Sequence, residues 1–138
     1  MKPIDVCAAV IARGNRLLLA QRPNGVHLGG KWEFPGGKVH RNETREECII
    51  REIQEELNLE VRSPVFLTTT CHDSVKKSVR LHFLQCELDE DAEHELRAHD
   101  DIGWFTLAEL ETLDLAPADH DFVHWLRAHT QACFGSDI

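Results

Sequence analysis

Three observations predict an α/β fold for this chain. Short apolar runs of strand length lie on both sides of a central segment, that segment has helical periodicity, and a second helix follows near the end. With 138 residues, 42% of them hydrophobic, the chain can pack one domain, 1–138, and not two.

In order, residues 5–12 and 16–22 read as strands, because their apolar runs are short and β-branched or aliphatic; Arg13-Gly14-Asn15 is the turn between them. Residues 23–37 hold most of the glycine and proline of the first half and read as a functional loop. A helix is expected over 45–57. Thr44 and Glu47 form a capping box at its start. Residues 61–72 and 78–87 read as strands around a polar turn at 73–77. Residues 89–101, rich in charge and histidine, read as a surface loop. Trp104-Phe105 suggests a short strand, followed by a short helix over 107–113 and a last helix over about 119–129.

The net charge of −9, with no basic stripe, argues against a nucleic-acid polymer as partner. It also implies that an anionic ligand arrives with cations. The first residues lack the charged region and apolar core of a signal peptide, and no apolar run approaches a membrane span. The five cysteines are scattered and without C-x-x-C spacing, so reduced thiols in a cytoplasmic protein are expected.

The central helix carries the chemistry. At about 100° per residue, Glu52, Glu55 and Glu56 fall in one narrow arc beside the apolar stripe of Ile49, Ile53 and Leu57. Like charges at these spacings destabilise a helix by roughly 0.2–0.5 kcal/mol per pair. A hard divalent cation such as Mg²⁺, with Mn²⁺ as the alternative, gives three converging carboxylates a reason; a solvated acidic face is the plainer reading. Gly36-Gly37, just upstream, permits backbone conformations closed to other residues and lets carbonyls approach a ligand.

Residues 37–59 resemble the signature of the Nudix hydrolases, G-x5-E-x7-R-E-U-x-E-E-x-G-U with U a bulky aliphatic residue. Here it runs Gly37, Glu43, Arg51, Glu52, Ile53, Glu55, Glu56, Asn58, Leu59. Asn58 replaces the family's glycine, and asparagine best tolerates the left-handed conformation after glycine. Lys31-Trp32-Glu33-Phe34-Pro35-Gly36-Gly37-Lys38, Gln21-Arg22, Trp104 and Leu115-Ala116-Pro117-Ala118-Asp119 resemble the MutT-type branch, the nucleoside triphosphate pyrophosphohydrolases. The likeness spans roughly residues 4–127 and implies an α/β/α sandwich with a mixed sheet.

The resemblance implies that Glu52, Glu55, Glu56 and the Gly37 carbonyl hold Mg²⁺, and that water attacks the β-phosphorus to give a monophosphate and pyrophosphate. Arg51 is expected to pair with Glu43 or Glu52 and orient the carboxylates. Arg22 and Lys38 are the candidates for phosphate contacts, with Arg22 preferred, and His27 is placed to touch a ligand. Phe34 either stacks on a base or joins the core. Glu33 bonds either to a ribose hydroxyl or to a neighbouring loop. Asp119 either reads the base or caps the last helix. As an ionised acceptor it would favour the exocyclic amine of cytosine over an oxidised guanine. In many relatives a glutamate of the metal site precedes the histidine found here at His99; this chain has Ala98 there. Either Glu95, Asp100 or Asp101 substitutes, or the site has fewer ligands.

The expected function is Mg²⁺-dependent hydrolysis of a (deoxy)nucleoside triphosphate by a monomer or dimer that cleanses the nucleotide pool, with 8-oxo-dGTP and CTP or modified dCTP as the substrate options. The alternatives are a dinucleoside polyphosphate or nucleotide-sugar hydrolase and, from another class, a nucleotide-binding regulatory module without catalysis.

Overall fold

The structure is a computed structural model describing residues 2–97, 99 and 101–134, the last four by backbone alone. Its elements are β1 (Ile4–Arg13), β2 (Arg16–Gln21), β3 (Trp32–Glu33), β4 (Gly36–Lys38), α1 (Arg45–Leu57), β5 (Arg62–Asp73), β6 (Ser78–Glu87), β7 (Asp101–Thr106), α2 (Leu107–Leu110) and α3 (Pro117–Phe134).

β1 organises the sheet. It runs parallel to β6 from Ile4↔Val79 to Ile11↔Cys86. It pairs antiparallel with β4 through Val6↔Lys38, Cys7↔Gly37 and Ala8↔Gly36, and at its far end with β2. β2 continues antiparallel to β7 and β3, and β5 closes the other edge against β6. The sheet is therefore mixed.

Residues 7–11 of β1 are all buried, as expected of a strand covered on both faces. Their alternation sorts the core. Cys7, Ala9 and Ile11, with Leu18 of β2, pack with Cys48, Ile49, Ile53 and Leu57 of α1. Ala8 and Val10, with Leu17 and Leu19, pack with Leu110 of α2 and Phe122, Val123 and Leu126 of α3. Helix, sheet and helix thus form the α/β/α sandwich. Phe83 and Phe122 stack at 4.0 Å on the α3 side, and Phe34 meets Phe122 edge-on at 5.2 Å.

The local signals hold at the ends of α1. Thr44 and Glu47 make both capping-box bonds, and Asn58 closes the helix at φ 54°, the left-handed conformation its side chain tolerates. Elsewhere the elements differ from expectation. The loop over 23–37 contains β3 and the start of β4, whose two- and three-residue spans give too short a pattern to read. The strand around Trp104-Phe105 runs six residues, because pairing along all of β2 extends it. α2 ends at Leu110, and α3 starts two residues early at Pro117, whose fixed φ suits a first helical position. α3 also continues past His129, across non-helical angles at that residue.

Candidate active site

A cleft of about 490 Å³ opens where β4, the segment after β2, and the N-terminus of α3 converge. Arg22, His27, Glu33, Phe34, Gly37, Lys38, Glu56 and Asp119, all anticipated from the sequence, line it, and His99 joins them.

Gly36 and Gly37 act differently from expectation. Both lie in β4, and neither has a positive φ, whereas Gly14, Gly25 and Gly30 do. What they supply is the absence of a side chain. A Cβ on Gly36 would overlap the Cys7 carbonyl, and one on Gly37 would overlap the Glu52 carboxylate. The strand can therefore lie flat against α1, with the Gly37 backbone beside Glu52. Cys48 Sγ donates to the carbonyls of Gly37 and Lys38 at 3.6 and 3.5 Å, pinning the two elements together.

Arg51 gathers the carboxylates of α1. Its Nε and Nη2 grip both oxygens of Glu43 at 2.6 and 3.0 Å, and its Nη1 reaches Glu52 at 2.9 Å and Glu55 at 3.1 Å. Nη2 also donates to the Lys38 carbonyl. Arg51 therefore pairs with both expected partners and with a third. Its hydrogen bonds, and one from the His40 N–H, hold the Glu43 carboxyl down at about 2.

Glu56 stands apart. Its Oε2 is buried and finds no hydrogen-bond partner among the described residues. Burial first, then the charges of Glu52 and Glu33, push its carboxyl up to about 8. Among the described residues no three histidine, cysteine, aspartate or glutamate side chains converge tightly enough to hold an ion by themselves; Arg51 draws Glu52 and Glu55 to itself. The residues nevertheless fit a divalent cation. The orphaned oxygen of Glu56 needs a positive partner, the donors are hard oxygens, and Gly37 leaves its carbonyl close to Glu52.

At the other end of the cleft, backbone bonds fix Asp119. Trp32 N–H donates to the Asp114 carbonyl at 2.8 Å, and Ala116 N–H to the Trp32 carbonyl at 3.0 Å, so the start of α3 is moored to β3. Asp119 lies in the first turn of α3, and its Oδ1 accepts the Phe34 N–H at 2.9 Å. Of the two readings left open for Asp119, the N-cap does not fit, because the helix begins two residues earlier at Pro117; the carboxyl bonds to the Phe34 N–H and also to its own backbone N–H. Burial pushes Asp119 well above the ordinary carboxylate range, towards the protonated form.

Phe34 is 3% exposed, wedged among Phe83 and Phe122, so its ring belongs to the core and offers no open face for stacking. Arg22 is less available than expected. Its Nη1 donates to Glu33 at 3.2 Å and its Nε to the His27 carbonyl at 2.9 Å. Lys38 is exposed on the lip of the cleft, and no partner for its ammonium is found among the described residues. His27 is exposed at the rim.

Glu33 bonds within the protein, to Arg22 and to His99 Nε2 at 3.0 Å. His99 was visible in the sequence only as a landmark counted back from Trp104; that its side chain is 4% exposed and faces Glu33 is a tertiary fact. The loop before it is stapled to the end of α1, Glu95 N–H donating to the Leu57 carbonyl and Arg97 N–H to that of Glu56. Ala98 and Asp100 lie outside the described residues. Asp101 Oδ1 accepts the N–H of its neighbour Ile102, and Glu95 pairs with Arg97.

Comparison with known proteins agrees with this geometry. The NUDIX domain family matches residues 1–126. A CTP pyrophosphohydrolase of Escherichia coli is 35% identical over 121 residues, covering 86% of this chain and 87% of that protein. An 8-oxo-dGTP diphosphatase of Proteus vulgaris is 42% identical over 83 residues, 59% of this chain and 74% of that one. The solution structure of the Escherichia coli ORF135 protein superposes with a TM-score of 0.82 at 31% identity, covering 96% of this chain and 94% of that one. No helix among the described residues is long and apolar enough to cross a membrane. Sandwich, signature helix and cleft together make this chain a member of the Nudix hydrolase family.

Proposed function

We propose that this protein hydrolyses (deoxy)nucleoside triphosphates to the monophosphate and pyrophosphate with Mg²⁺, and so removes damaged nucleotides from the pool. The observation that carries the reading is the orphaned, buried carboxylate oxygen of Glu56, in one cleft with an exposed cation, Lys38, and a buried carboxyl, Asp119. A bound cation would be held by Glu56, Glu52, Glu55 and the Gly37 carbonyl. When present, it lowers the pKa of water and neutralises charge on the leaving pyrophosphate. One of these carboxylates would take the proton from that water. Arg51 holds Glu52 and Glu55 in orientation, Lys38 meets the phosphates at the lip, and the exposed His27 closes the rim.

Asp119 supports the choice of base. Protonated, its carboxyl is donor and acceptor together, as asparagine is, and suits an oxidised guanine with a carbonyl beside a ring N–H. The leading substrate is therefore 8-oxo-dGTP, in keeping with the name of the Proteus vulgaris relative. CTP is the second reading, favoured by the Escherichia coli relative that covers more of the chain.

Pyrophosphate release across a panel of triphosphates with Mg²⁺ tests the proposal. Release from 8-oxo-dGTP with the best kcat/KM supports it, and preference for CTP selects the second reading. Release of monophosphate only from dinucleoside polyphosphates or nucleotide sugars would transfer the protein to that class. Nucleotide binding without any turnover would assign it to regulation.

A further inference from the structure

A second group of ligating side chains lies outside the cleft. His120 and His124, one turn apart on α3, line a cavity of about 230 Å³ that shares no lining residue with it. Both are exposed, and no hydrogen bond, ion pair or ring contact of either imidazole is found among the described residues. His82 and His99, by contrast, have their rings engaged by Asp5, Thr69 and Glu33.

At about 100° per residue, positions 120, 124 and 127 fall on one stripe of the helix. Side chains at i and i+4 are neighbours, about 5–6 Å apart at Cβ, and this is the spacing by which helical histidine pairs bind zinc. Across the cavity, Glu111 at the end of α2 is paired with Arg127, the third member of the stripe.

The donor set selects its ion. Imidazole nitrogens suit Zn²⁺, Ni²⁺ and Cu²⁺, whereas Mg²⁺ prefers oxygen donors such as the carboxylates of α1. Glu111 would be a third ligand, but Arg127 holds it, and no three ligating side chains meet at one point among the described residues. Two rings therefore carry the site, and the cavity leaves room for water to complete the coordination.

We propose that His120 and His124 form a second metal site, selective for divalent transition ions over Mg²⁺. Arg127 keeps it weak, because it withholds the Glu111 carboxylate and adds positive charge beside the rings. The site stands independently of what the cleft hydrolyses.

The test is Zn²⁺ binding to the untagged protein by calorimetry in saturating Mg²⁺, which occupies the oxygen donors. His120→Gln and His124→Gln should each weaken Zn²⁺ binding at least about tenfold, since even the loss of a ligand's supporting partner costs that much. Both rings are exposed, so these variants should keep the wild-type melting temperature without metal. Arg127→Gln should bind Zn²⁺ more tightly than wild type, and adding Glu111→Gln should cancel the gain. Electron paramagnetic resonance of bound Cu²⁺ gives a readout independent of affinity: two imidazole nitrogens should couple to the ion in wild type, and one in either histidine variant. Zn²⁺ affinity unchanged in either histidine variant overturns the proposal, and so does a copper spectrum without two coupled nitrogens. Weaker Zn²⁺ binding in Arg127→Gln would overturn the part given to Arg127.

Discussion

Asp119 is a buried carboxyl and Glu56 a half-buried one, and both are pushed towards the protonated state, but for different ends. The folded pKa of Glu56 is raised from 4.5 to about 8, so its contribution to stability is fully present below about pH 4.5 and is lost as pH rises through 8. Metal-free Glu56→Gln should not show that loss. Its melting temperature at pH 8.5 should exceed that of wild type, and turnover should fall by orders of magnitude; near-normal turnover would remove Glu56 from the site. Asp119 obeys the same sign, its native pKa being raised, so protonated-state behaviour persists above the ordinary carboxylate range. Asp119→Asn fixes the donor–acceptor pattern permanently. It should keep the wild-type base selectivity at pH 7, whichever base that is, and remove any alkaline decline that follows Asp119 ionisation; a switch of selectivity at pH 7 would show that the carboxyl works ionised. Asp119→Ala strands the buried Phe34 N–H, at a cost of about 1–3 kcal/mol in chemical denaturation.

The decisive element is the three-residue strand β4. Its glycines were legible as a functional loop, but the sequence could not show that they lie in extended strand or which neighbour each one makes room for. The distinction leads to separable outcomes. Gly37→Ala sets a methyl against the Glu52 carboxylate, a side chain with some freedom to turn. It should fold, with weaker divalent-cation binding by calorimetry and turnover reduced at least tenfold. Gly36→Ala sets a methyl into the Cys7 backbone, which cannot turn away without losing the β1–β4 pairing. It should destabilise by about 1–3 kcal/mol or more. Equal melting temperatures for the two variants would contradict this account. α1 shows the opposite balance. Its start, its end at Asn58 and its buried stripe were all readable, because capping and periodicity are local and the 13 residues give enough turns to show them.

Across the whole molecule, the site depends on a sheet covered on both faces, with α1 bearing the carboxylates on one side and α3 bearing Asp119 on the other. Phe122 joins the Phe83 stack to Phe34, whose N–H holds Asp119. Phe122→Ala should cost about 3–5 kcal/mol by chemical denaturation. It should also raise KM more than it lowers kcat, since the base end loosens while α1 stays in place. An equal loss in both parameters would show that the two faces are not separable in this way.

By itself the sequence determined the family, the strand–helix order of the longer elements, the capped signature helix and most of the cleft's membership, because these rest on spacing, periodicity and residue chemistry along the chain. Only the tertiary structure decided which way the ambiguous residues turn. Phe34 went to the core because two aromatic rings await it there. Asp119, the third residue of its helix, bonded across to Phe34, and Arg22 shared its charge with Glu33. His99 moved from landmark to buried partner of Glu33. Each of these choices depends on a neighbour many residues away in the chain, and burial strengthens the bond that wins while raising the cost of the one left unmade.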